Sequence, residues 1–289
     1  MATLVTEQGI VHYETYGRGR PVLLLHGWLG SWALWRRTIE ELGKEFRTYA
    51  LDFWGFGESG AEGDDFSIGN FVLLVDEFMD RLGIVKAPLV GHSMGGTVSL
   101  DFSIRHPEKV VKTIVIGSPI DGSSLSMLLK TASYQGWISL SESAPFLFNL
   151  FMRGFRRFIR YYAYLMASDG KMLGNMMAAD LSTLTWGPFF ESIGTLRRTD
   201  LRPYLSELKT PVLGIYGKKD IIVNPKQSQV LKQYVPGSRV AWFTGSGHFP
   251  MMDEFDLFVN TVRNFLNEVH TQPGVITSPN SFPASGGRS

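Results

Sequence analysis

The chain has 289 residues, 44% of them hydrophobic, with a formal net charge of +1 and no cysteine. That length and apolar content suit one large core carrying an insertion. The charge balance supplies no overall field for nucleic acid or an anionic membrane, and the lack of thiols excludes disulfides, a cysteine nucleophile and cysteine-ligated metals.

Met1 to Glu7 contains no basic region followed by an apolar stretch, and no segment reaches the roughly 20 apolar residues of a membrane span. A soluble cytoplasmic protein is expected, as a monomer or a small homo-oligomer. Residues 10–16 and 22–27 read as strands, Trp32 to Phe46 as an amphipathic helix, Arg47 to Phe53 as a strand and Ile68 to Leu82 as a helix. A strand over Ala87 to Val90, a helix to about Arg105 and a strand over Val110 to Ile116 follow. Such alternation predicts an α/β fold with a mostly parallel sheet covered on both faces.

The rhythm breaks after Pro119 and resumes at Pro211 with strands over Leu213 to Gly217 and Val240 to Phe243. Between about 120 and 205 no strand-like stretch occurs. Phe148, Phe151, Phe155, Phe158 and Tyr162 are spaced 3, 4, 3 and 4 residues apart, which places them on one helical face, with Arg153, Arg156, Arg157 and Arg160 opposite. Those arginines read either as an anion or membrane site or as the solvated side of an amphipathic helix, and the second is the simpler account. Thr271 to Ser289, with three prolines among Gly and Ser, reads as a disordered tail.

Chemistry concentrates at Gly91-His92-Ser93-Met94-Gly95, a G-x-S-x-G pattern between a strand and a helix. Small residues let the chain reverse there and project the Ser93 hydroxyl above the end of the sheet. A nucleophilic serine needs a base and an acid to orient that base, expected in the order serine, acid, histidine. Asp220 lies just past a strand, and His248 follows another strand on the loop Thr244-Gly245-Ser246-Gly247. Taken singly these are an ordinary turn aspartate and a loop histidine; in this order with Ser93 they read as a catalytic set. Val22-Leu23-Leu24-Leu25-His26-Gly27-Trp28 runs from a buried strand into a turn, where the backbone N–H of Trp28 would pair with that of Met94 as an oxyanion hole. His26 reads as bracing that loop.

Leu25-His26-Gly27-Trp28, Asp52-Phe53-Trp54-Gly55-Phe56-Gly57-Glu58-Ser59, the Ser93 elbow, Asp220 and Gly247-His248-Phe249-Pro250 together resemble the α/β-hydrolase superfamily, over about residues 8 to 268. The resemblance implies a core formed by residues 1–119 and 206–270, an all-helical cap over 120–205, and a mainly structural role for the D-x-x-G-x-G-x-S loop. Some members carry the acid one strand earlier, which makes Asp121 a competitor of Asp220; the Gly-x-x-Asp ending of the later strand favours Asp220. A cap lies over the serine. Met127, Met152, Met166, Met172, Met176 and Met177 fall in it with Trp137, Trp186, Phe189 and Phe190, and suggest an adaptable apolar pocket. Plain packing of cap on core is the alternative for any one of them. His26, Trp137, Met152, Trp186 and Phe249 are the candidate pocket residues.

The resulting expectation is a cofactor-free, metal-free serine hydrolase of the carboxylesterase type. It would cleave small-molecule esters with hydrophobic short-to-medium chains through an acyl-enzyme. Carbon–carbon bond hydrolases of ring-cleavage products use the same residues but often have tryptophan after the histidine, where this chain has Phe249. Cofactor-free haloperoxidase or perhydrolase chemistry is a further alternative, and a ligand receptor that retains the triad is the non-enzymatic one. Serine at position 93 disfavours the dehalogenase and epoxide-hydrolase branches, which use aspartate there.

Overall fold

The computed structural model describes residues 2–60, 62–132, 143 and 145–269. Eight strands form one sheet: β1 (Ala2–Thr6), β2 (Gly9–Tyr16), β3 (Pro21–Leu25), β4 (Arg47–Leu51), β5 (Ala87–His92), β6 (Val110–Ile116), β7 (Val212–Gly217) and β8 (Arg239–Phe243), in the order β1-β2-β4-β3-β5-β6-β7-β8. The first two strands pair antiparallel and the remaining six run parallel. The central strands read as unbroken apolar runs because both faces are covered: Val22 to Leu25 and Leu89 to Val90 are fully buried.

The covering helices are α1 (Arg36–Leu42), α2 (Ile68–Arg81), α3 (Met94–Arg105), α8 (Gln227–Tyr234), α9 (Pro250–Asp253) and α10 (Phe255–Asn267). Ser67 starts α2 by accepting the Asn70 N–H, and Gly83 at φ 66° ends it. The helix expected from Trp32 to Phe46 is divided. Trp32–Trp35 forms a 3₁₀ turn capped by Ser31, and α1 stops at Gly43, which packs against Tyr16 too closely for a side chain.

Between β6 and β7 the described chain contains helices alone: α4 (Met127–Ala132), α5 (Pro145–Met166), α6 (Gly170–Asp180) and α7 (Trp186–Arg198), besides 3₁₀ turns. An isolated antiparallel bridge joins Asp121 to Asp200 where this helical insertion leaves and rejoins the core. Two polar contacts tie the insertion to the loop after β3: the Trp28 Nε1–H donates to the Phe189 carbonyl at 3.0 Å, and the Ser31 hydroxyl donates to Asp180 Oδ1 at 3.0 Å. Burial pushes the Asp180 carboxyl up to about 7; the buried Asp52 charge adds to the rise and the Ser31 hydrogen bond opposes it. The second carboxyl oxygen is buried without a partner, so the neutral acid is the form that fits.

Two stability predictions follow from these contacts. A methyl at Gly95 would press into the Leu25 and His26 carbonyls, whereas one at Gly154, inside α5, meets nothing within 4 Å. Gly95→Ala should lose about 3 kcal/mol in urea unfolding, and Gly154→Ala should gain ~0.5–1 kcal/mol. Folded Asp180 holds its proton above the ordinary value of 3.8, so its contribution to stability is fully present below about pH 4 and is lost as pH rises to about 7. Asp180→Asn should therefore flatten the stability profile across that window and make the protein more stable than the parent above pH 7. Parallel profiles for the two proteins would contradict this account.

Candidate active site

β5 ends at His92 and α3 begins at Met94, leaving Ser93 alone in the reversal at φ 50° and ψ −117°. Its N–H donates to the Ile116 carbonyl at 2.8 Å, and its carbonyl accepts the N–H groups of Gly96 and Thr97. Glycine is required on both sides: a side chain on Gly91 would strike the Gly95 and Gly96 backbone, and one on Gly96 would strike Ser118.

Asp220 lies in the turn after β7. Its Oδ1 accepts the Ile222 and Val223 N–H groups at 2.8 and 3.0 Å, and its Oδ2 accepts His248 Nδ1–H at 2.7 Å. The His248 loop is pinned by two acids at the end of α9: Gly247 N–H donates to Asp253, while Gly245 N–H and the Ser246 hydroxyl donate to Glu254. Beside the Asp220–His248 bond sits Gly117 at φ 53°, where a methyl would lie 3.1 Å from His248 Nδ1 and 3.2 Å from Asp220 Oδ2. Asp121 is engaged elsewhere: it accepts the Ser123 N–H and an amide hydrogen of Gln227.

The turn after β3 reaches the same point. A methyl on Gly27 would lie 3.0 Å from Ser93 Cβ, so the Gly27–Trp28 backbone passes directly over the serine. Neither the Trp28 nor the Met94 N–H is engaged in a hydrogen bond among the described residues. His26 is fully buried behind the turn; its Nδ1–H donates to the Gly27 carbonyl and its Nε2 accepts the Phe53 N–H at 3.0 Å. Burial holds its pKa below the ordinary imidazole range. Both ring nitrogens are used in joining the turn to the end of β4, so His26 is a brace and not a pocket residue.

Ser93 and His248 wall one apolar cavity with an empty space of ≈ 640 Å³ including its mouth. Trp28, Leu29, His92 and Phe249 line it from the core, and Phe155, Ile159, Tyr162, Met166, Met177, Ile193 and Leu196 line it from the helical insertion. Of the candidate pocket residues Phe249 lies at this wall. Met152 is buried on α5 before the part of that helix that meets the cavity, which begins at Phe155. Trp186 opens α7, whereas α7 meets the cavity at Ile193 and Leu196, about 10 Å or more along its axis. Neither lines the cavity, and Trp137 falls outside the described residues.

Sequence reasoning missed three cavity-lining residues of the core here, Leu29, His92 and Ile222. Leu29 turns into the cavity at φ 58°, a conformation that no residue pattern announces. His92 donates from Nε2 to the His248 carbonyl at 2.9 Å and packs against both the His248 and Phe249 rings. Burial, with His248 beside it, lowers its pKa well below the ordinary value, which keeps it neutral. Its place inside the five-residue elbow was the available signal.

Comparison with known proteins gives a consistent picture. The sequence model of the family described as "alpha/beta hydrolase fold" matches residues 20–255. A pimeloyl-[acyl-carrier protein] methyl ester esterase of Vibrio parahaemolyticus is 29% identical over 266 residues, which covers 89% of this chain and 98% of that protein. Epoxide hydrolase 4 of Mus musculus is 24% identical, with 89% and 76% covered. The solved structure of a thermophilic esterase from Thermogutta terrifontis superimposes with a TM-score of 0.77 at 22% identity, over 93% of this chain and 99% of that one. The chain belongs to the alpha/beta hydrolase fold family, and its relatives are esterases and other hydrolases.

Proposed function

We propose that the protein is a serine carboxylic ester hydrolase that forms an acyl-enzyme on esters with hydrophobic short-to-medium chains. The observation that carries this reading is the Asp220–His248 hydrogen bond of 2.7 Å behind a histidine that shares a cavity wall with Ser93. Ser93 Oγ attacks the ester carbonyl while His248 Nε2 takes its proton. Asp220 holds the imidazole with Nδ1 protonated and stabilises the imidazolium that forms. The carbonyl oxygen gains negative charge in the space faced by the Trp28 and Met94 N–H groups, both fixed before reaction and thus able to stabilise it without reorganisation. His248 returns the proton to the leaving alcohol, and water, activated by the same histidine, releases the acid.

The apolar character of the cavity supports a hydrophobic acyl or alcohol group over a charged one. The activity of the Vibrio relative places methyl esters among the first substrates to test. Ser93→Ala should lower kcat/KM for p-nitrophenyl esters by on the order of 10⁴-fold or more, and Asp220→Asn by a comparable factor, while Asp121→Asn stays near the parent. A chain-length series should rise and then fall as the acyl group outgrows the cavity. Near-normal turnover in Ser93→Ala, or no hydrolysis at any chain length by the parent, would overturn the reading.

A further inference from the structure

Helix α5, Pro145–Met166, has three distinct faces. Met152, Phe155, Ile159 and Met166 turn inward, and the last three wall the cavity. Arg153, Arg156, Arg157 and Arg160 form a second face on a helix that has no acidic residue. None of these four is in an ion pair with a carboxylate among the described residues. The whole-chain charge of +1 conceals this concentration, since the remainder of the chain is slightly negative. Leu147, Leu150, Phe158, Tyr161 and Leu165 make the third face, with Gly154 in the gap, so the row advances by three or four residues throughout.

That third row is not core. Leu150 and Leu165 are each 64% exposed, Tyr161 72% and Phe158 44%. Large apolar side chains standing together in water mark a contact surface. The row runs for about 27 Å along the helix, with guanidinium groups along one flank. Leu, Phe and Tyr beside a row of arginines are the composition of a helix that lies in a lipid interface, its apolar row among the acyl chains and its cations on phosphate. A partner protein would have to supply a long groove for the same row. The inward face of this helix forms the cavity wall, so the surface it meets lies next to the site.

We propose that α5 seats the protein on an anionic lipid surface, with Arg153, Arg157 and Arg160 facing phosphate headgroups and Leu150, Tyr161 and Leu165 entering the acyl boundary. This docking stands apart from the esterase reading, because it is measured by binding. The full chain should float with vesicles of phosphatidylcholine containing about a third phosphatidylglycerol, at least tenfold more strongly than with phosphatidylcholine alone, and less at about 0.5 M than at about 0.1 M salt. The triple substitution Arg153→Gln, Arg157→Gln, Arg160→Gln should weaken partitioning by on the order of a hundredfold. Leu150→Ser with Leu165→Ser should also weaken it, and both variants should keep the parent's thermal transition and its hydrolysis of a water-soluble ester. If either multiple variant fails to fold, Arg157→Gln alone decides, with an expected loss of about fivefold. Absence of flotation, equal binding to neutral vesicles, or parental binding by the variants would overturn the proposal. Binding to polyglutamate without binding to vesicles would reassign the face to an acidic protein. A dimer abolished by the leucine substitutions, without vesicle binding, would reassign it to a second copy of the chain.

Discussion

The structure depends on holding one non-glycine residue in a left-handed conformation. At φ 50° Ser93 occupies a region that costs a side-chain-bearing residue about 1–3 kcal/mol, so its surroundings must over-determine it. Three backbone hydrogen bonds fix its N–H and carbonyl, and glycines at 91, 95 and 96 let α3 press onto β3 and β5. No wider helix–sheet spacing would leave the Met94 N–H and the Gly27–Trp28 turn facing the same point. The reversal, the docking of α3 and the placing of the two N–H groups proposed as oxyanion donors are thus one constraint met at several positions.

A second layer of buried polar groups fixes the turn opposite. Asp52 is fully buried yet satisfied: it accepts the Trp32 and Glu58 N–H groups and pairs with His12 Nδ1 at 3.0 Å. That hydrogen bond raises the His12 pKa against the lowering effect of burial. Gly57 at φ 56° leaves room for the Asp52 carboxylate, which accounts for the second glycine of D-x-x-G-x-G. His26, Ser31 and Trp28 then carry the loop's position to β4 and to the helical insertion. Interactions of this kind contribute little net energy each, but removing one partner strands a buried charge or dipole, so they specify geometry more than they add stability.

The elements whose signal is local were legible in the sequence. The elbow at Ser93, the Asp220 and His248 loops after short apolar strands, and the parallel core all follow from glycine placement and strand-length apolar runs. β1 and α10 were not read, although α10 buries Phe258, Val259, Val262, Phe265 and Leu266 at helical spacing. The cavity was legible only as a composition. Which residue of α5 or α7 reaches it depends on where each helix crosses the core, and a shift of one turn separates Met152 from Phe155. Likewise the spacing of Phe148, Phe151, Phe155, Phe158 and Tyr162 satisfies one helical face, yet Phe155 and Tyr162 wall the cavity while Phe158, packed beside both, is 44% exposed and does not. Periodicity gives the width of a face and not what lies against it.

Gly117 bears on why Asp220, after β7, and not Asp121, after β6, is the carboxylate that meets His248. The end of β6 passes so close to the Asp220–His248 bond that it has room for a hydrogen atom and little more, with φ at 53°. An acid directed from this strand would need a side chain rooted further along, and Asp121, four residues on, has already turned away to cap the 3₁₀ turn Gly122–Ser124 and to bind Gln227. β6 therefore serves the site as a bare backbone surface. On one side the Ile116 carbonyl holds the Ser93 N–H, and on the other Gly117 gives the carboxylate and imidazole room to meet. A single strand end thus contacts both Ser93 and the Asp220–His248 pair, and a side chain at position 117 would press directly on that pair.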